Sequence, residues 1–100
     1  MNTRTVKILN GETKTQHEFE VYLDLLPQLK ELTDTVTPAP VWGEGVDSTA
    51  VMGMSLLFAS IPHKFPVQYI LLWLRDEIDP NLSLPVVEAA LIQLARQHVW

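Results

Sequence analysis

From Thr5 to Leu9 polar and apolar residues alternate, with Val6 and Ile8 on one face, which is the period of a half-buried strand. Asn10-Gly11 comes next, a strong hairpin signal because both residue types tolerate positive φ. Alternation resumes with Thr13, Thr15, His17, Phe19 and Val21 set against Lys14, Gln16, Glu18 and Glu20. A β-hairpin over residues 5–19 is predicted, its second strand starting near Thr13 and reaching at furthest Val21.

Beyond the hairpin the period becomes helical. Pro27 fits the first turn of a helix and breaks its interior. Asp24 as N-cap satisfies that rule and gives a helix over 24–33 with Leu25, Leu26, Leu29 and Leu32 as its buried stripe. The rival is a helix from near Glu18 with a kink at Pro27. Residues 34–46 then read as one long loop, extended through Thr37-Pro38-Ala39-Pro40 and loosened by Gly43-Glu44-Gly45. Loops of this length are often functional.

Three further helices follow. Asp47 or Ser48 caps the first, over 47–61, which is apolar almost all round, with Leu56 and Leu57 in the central core and Pro62 as its stop. The next covers 66–78 and carries Val67, Ile70, Leu71, Leu74 and Ile78 on its buried stripe. Ser83 caps the last, over 83–99, with Pro85 in the first turn and Val87, Leu91, Leu94 and Ala95 inward. The fold class predicted is α+β, one domain over 1–100, with an N-terminal β-hairpin packed on a bundle of about four helices.

Charge narrows the function classes. The net charge of −5 is uneven: residues 16–60 hold Lys30 alone against seven acids. Phosphate backbones select clustered lysine and arginine, so no nucleic-acid partner is expected. The longest nearly apolar run, Ala50–Ile61, falls well short of the about 18–20 residues that span a bilayer, so no membrane association is expected. Met1–Thr5 lacks the apolar core of a signal peptide, and there are no cysteines; both fit a cytoplasmic protein.

Candidate chemistry is sparse. His17, His63 and His98 do not pair at i+2, i+3 or i+4, so no local metal clamp forms, and His98 suits the negative end of a helix dipole. Asp76, Glu77 and Asp79 cluster at a helix end without the alternating ligands and central glycine of a calcium loop. Gly43-Glu44-Gly45 follows prolines and carries an acid, unlike a phosphate cradle. No nucleophile elbow is present. The expectation is no enzyme, no cofactor, and neither catalytic nor metal residues.

Aromatic residues carry more. Tyr69, Leu72 and Trp73 lie beside a stripe that already fills one core face of their helix, and surplus apolar surface on a small domain marks a contact. Flanking helices burying all three is the bland alternative. Trp42, in the long loop, reads equally as a plug over the core and as a partner anchor. The partner-binding candidates are therefore Trp42, Tyr69, Leu72 and Trp73, facing a protein partner or a homo-oligomer.

The opening Thr5-Val6-Lys7-Ile8-Leu9-Asn10-Gly11-Glu12, then Gln16-His17-Glu18-Phe19-Glu20-Val21 and a leucine-rich helix, resembles the start of the small tail assembly chaperones of tailed phages. The likeness covers about the first third of the chain and rests on pattern, not on an invariant motif. It implies a viral protein with a strand pair before a helical body, binding the apolar helices of a tape measure protein. The function expected is a non-enzymatic protein-binding module, an assembly chaperone or adaptor engaging apolar helical surface. The alternatives are a small acidic inhibitor covering a basic nucleic-acid-binding surface, and an enzyme whose site is built from scattered residues.

Overall fold

A computed structural model describes residues 2–38 and 46–99. Two antiparallel strands, β1 (Thr3–Asn10) and β2 (Thr15–Tyr22), pair along their full length from Thr3↔Tyr22 to Asn10↔Thr15. Four helices follow: α1 (Leu26–Thr33), α2 (Ser48–Leu57), α3 (Val67–Ile78) and α4 (Leu84–Val99). The α+β class holds, with the hairpin at the N-terminus and the helices after it.

The hairpin is longer than 5–19, because pairing continues while inward positions meet the core. Ile8, Phe19 and Val21 are buried on the helix side, and the Leu23 N–H closes the far end on the Asn2 carbonyl at 2.9 Å. Its turn also differs from a two-residue Asn-Gly turn. Gly11–Lys14 form a four-residue loop, and the left-handed residue is Lys14, with φ 59°. Asn10 builds the loop with its side chain: Oδ1 accepts from the backbone N–H of Glu12 at 2.9 Å and of Thr13 at 3.4 Å, while the Lys14 N–H donates to the Asn10 carbonyl at 2.8 Å. Asparagine thus serves here as a local hydrogen-bond acceptor, the Asx-turn role.

Gly11 is needed for space and not for positive φ. A Cβ there would lie 2.7 Å from the Tyr69 ring, because α3 passes directly beneath the turn. Gly11→Val is expected to destabilise the domain by about 1–3 kcal/mol through overpacking. In a Tyr69→Ala background most of that loss should vanish, a coupling that a double-mutant cycle by urea denaturation measures. An equal loss in both backgrounds would mean that the turn itself rejects the side chain.

The later start for α1 is correct, but the cap is not Asp24. Leu25 occupies the N-cap without a side-chain hydrogen bond, Pro27 sits in the first turn, and the Leu29 N–H reaches the Leu25 carbonyl at 3.0 Å. Leu29 is buried, and Leu25, Leu26 and Leu32 pack on the core from its rim. Asp47 caps α2 as expected, its side chain accepting from the Thr49 N–H at 2.7 Å. The helix stops at Leu57, well before Pro62. Phe58 turns extended (φ −118°, ψ 138°) to bridge Val21, and the Ala59 N–H donates to the Glu20 carbonyl at 2.9 Å. The β2 edge therefore ends α2. Leu57 is fully buried, whereas Leu56 lies half-buried on the flank of the core. Ser83 supplies the carbonyl that accepts the Val87 N–H at 3.3 Å as α4 begins.

α4 is the central helix, in contact with α1, α2 and α3. Its Val87, Ala90, Leu91 and Leu94 meet Leu29 of α1, Ala50, Met54 and Leu57 of α2, and Ile70, Leu71 and Leu74 of α3 in one core. Ile70, Leu71 and Leu74 are the centre of the stripe read for α3, with Val67 and Ile78 packed at its ends. Phe19 joins hairpin to helices, edge-on to Phe58 at 5.7 Å and to Phe65 at 5.0 Å between ring centroids, the geometry aromatic pairs favour.

Candidate functional site

α3 runs antiparallel beneath β1. Tyr69 lies under the turn at Gly11, and Arg4 at the start of β1 meets Glu77 near the end of α3 at 2.6 Å. Along this edge Ile8, Leu9, Tyr69, Leu72, Trp73 and Asp76 line an open groove of about 330 Å³. The three candidates on α3 are thus brought together, and Leu9 of β1 joins them.

Each wall of the groove has a physical origin. Position 9 falls on the outer side of the hairpin, so Leu9 has no core to enter and is 48% exposed. Tyr69, Leu72 and Asp76 recur at helical spacing, one turn apart, and so share a stripe. Tyr69 and Trp73 are half-buried and also pack on the core; Trp73 lies against Phe58 with ring centroids 6.1 Å apart at 66°. Trp73 is therefore both a core residue and a groove wall. Leu72 is half-buried in the groove itself. Trp42 lies outside the described residues.

Leu9 was missed from the sequence because alternation placed it on the polar face, where a single leucine draws no notice. Its signal is that its outer-face companions Thr3, Thr5 and Lys7 are all polar.

Backbone hydrogen bonding completes the picture. The Leu23 N–H to Asn2 carbonyl bond fixes the parity of the ladder: even-numbered residues of β1 exchange hydrogen bonds with β2. Glu20, opposite Thr5, turns its carbonyl the other way, to Ala59, as that parity requires. Thr3, Thr5, Lys7 and Leu9 consequently direct their N–H and C=O groups to the open edge of β1, where no strand pairs with them among the described residues. An apolar groove and an unpaired strand edge run side by side.

Elsewhere the polar residues make local structure. His17 stacks edge-on against Phe65 at 5.2 Å. His98 Nε2 lies 3.1 Å from Gln28 Oε1, and Gln28 also donates to Gln97 at 2.9 Å, clasping α1 to the last turns of α4. Asp79 accepts the Asn81 N–H at 2.9 Å and shapes the turn before α4. Glu88 is 2% exposed and its Oε2 accepts the Asp47 N–H at 2.7 Å, which pins the start of α2 to α4. No group of three or more His, Asp or Glu side chains among the described residues is arranged to hold a metal ion. No helix among them is long and apolar enough to cross a membrane.

A larger groove, about 670 Å³, lies between the end of α1 and α4, with Leu32, Val36 and Ile92 below and Thr35, Gln93 and Arg96 around it. Pro38 forms one side. No known protein-family model, curated protein or solved structure matches the chain.

Proposed function

We propose that the chain is a non-enzymatic protein-binding module, an assembly chaperone or adaptor acting in the cytoplasm, and that it makes contact through the α3–β1 face. The observation that supports this reading is the groove of Leu9, Tyr69, Leu72 and Trp73 set against an unpaired strand edge. Covering such apolar surface yields roughly 25 cal/mol per Å², and tyrosine and tryptophan are frequent interface anchors. Within this class, the tail assembly chaperones of tailed phages are the specific family proposed, on the pattern of the N-terminal third.

Leu72→Lys tests the reading best, since Leu72 lines the groove and lysine is a good helix former one turn from Asp76. The variant is expected to keep its helical circular dichroism and to melt within a few degrees of the parent, while losing most of the protein captured by the parent from its native host. Trp73→Ala should lose capture as well, but with a lower melting temperature because it strips a wall from Phe58. Capture unchanged by Leu72→Lys would refute the assignment. Salt separates the acidic-inhibitor alternative: an apolar contact holds as ionic strength rises, whereas acidic mimicry weakens steeply.

A further inference from the structure

Resting on the reading of the α3–β1 face as a protein contact, we propose that its occupant is a second copy of this chain, joined β1 to β1 in antiparallel fashion into a four-stranded sheet. The donors and acceptors of Thr3, Thr5, Lys7 and Leu9 point outward along one edge, and β2 is not equivalent, because Phe58 and Ala59 already occupy part of its outer side. Two identical edges related by a two-fold axis pair antiparallel by symmetry, and each patch then meets itself.

Charge selects the register. Outward-pointing residues must face one another to exchange hydrogen bonds, so odd positions pair with odd positions. Setting Lys7 opposite Lys7 of the second copy places like charges face to face, which is destabilising. Moving the register by one pleat sets Thr5 opposite Lys7 of the second copy, Thr3 opposite Leu9, and Val6 opposite its own counterpart. On the outer face Lys7 then lies between its own neighbour Glu18 and Thr5 of the second copy, whose neighbour is Glu20. The row reads acid, lysine, threonine, acid, with no cation opposite a cation and no acid opposite an acid. The opposite shift sets Leu9 against Lys7 of the second copy and carries Thr3 and Thr5 past the strand to the turn at Thr13 and Gly11, so fewer residues pair. In the chosen register Leu9 is covered by Thr3 of the second copy, and the two α3 helices lie side by side beneath the joined sheet. Leu72 of each copy then faces the other's groove.

Proline at position 5 provides the test. Thr5 N–H points away from β2, so Thr5→Pro removes no bond of the hairpin, and proline is tolerated on strand edges. It deletes a donor at two symmetry-related places. Losing two such bonds is expected to weaken self-association by roughly tenfold or more. Sedimentation velocity of the full chain over a wide concentration range should show the parent moving to twice its mass and Thr5→Pro doing so only at roughly tenfold or more higher concentration, with unchanged circular dichroism. Amide hydrogen exchange on the parent gives a reading that needs no variant. The N–H groups of Thr5, Lys7 and Leu9 should be protected at high concentration and exposed on dilution, while those of Val6 and Ile8 stay protected throughout. A parent that is monomeric at every concentration overturns the proposal, as does a dimer whose Thr5, Lys7 and Leu9 amides exchange freely. A monomeric parent that still captures another protein in a Leu72-dependent way would refute the second copy alone and leave the functional reading intact.

Discussion

Truncating Phe58 to alanine is expected to lower stability by about 3–5 kcal/mol. Phe58 is 2% exposed and heads the fully buried side chains by volume. It also does three things at one place: it ends α2, bridges Val21 of β2, and stacks edge-on with Phe19 and Trp73. Alanine keeps the backbone bridge but leaves a cavity that the hairpin on one side and α3 on the other cannot jointly close. Total stabilities of domains this size are about 5–15 kcal/mol, so the melting temperature should fall by roughly 15 °C or more. A fall of a few degrees in a calorimetric scan would mean that the aromatic cluster does not hold the hairpin to the helices.

The second large effect runs against helix propensity. Gly53 lies inside α2, where alanine would normally add about 1 kcal/mol. At this position a Cβ would collide with the Leu91 carbonyl oxygen of α4 and lie 3.0 Å from its carbonyl carbon. The obstacle is backbone in the central helix, which no rotamer change relieves, so α2 and α4 must separate along their contact. Overpacking against backbone falls at the upper end of the usual range, about 3 kcal/mol, and Gly53→Ala should therefore be destabilised by about 2 kcal/mol net, with Gly53→Val failing to fold. Urea denaturation decides the sign: a variant at least as stable as the parent would show that the helices do not cross closely at Gly53.

Gly53 also marks what a sequence reveals least. A glycine within the apolar run Ala50–Ile61 signals a packing reason, but which backbone passes there depends on how α4 returns from distant sequence. Several local signals were legible: the alternation of β1 and β2, Pro27 in the first turn of α1, Asp47 as a cap, and the stripe of α3 all follow from neighbours a few residues away, whereas the cap of α1 fell on Leu25 and not on Asp24. The end of α2 was not, because Phe58 leaves the helix to pair with Val21, a partner 37 positions earlier in the numbering. The turn at Gly11 was found for a reason that does not operate, since the residue next to its Cα belongs to α3.

The candidate site divides along the same line. Helical spacing alone indicated that Tyr69, Leu72 and Trp73 exceed what one core stripe needs. Nothing local indicated that β1 would lie over them, that Leu9 would complete the groove, or that the unpaired side of β1 would border it. Those features arise from tertiary packing, in which Arg4 meets Glu77 and Tyr69 passes under Gly11.

The claim that the α3–β1 face contacts protein is tested most directly by placing a photo-crosslinking p-benzoylphenylalanine at position 72 and irradiating the chain in its native host, with the same residue at position 93 in the larger groove as the control. The account predicts a covalent protein adduct, with another chain or with a second copy, from position 72 and none above background from position 93. Adducts from position 93 with none from position 72 would contradict it.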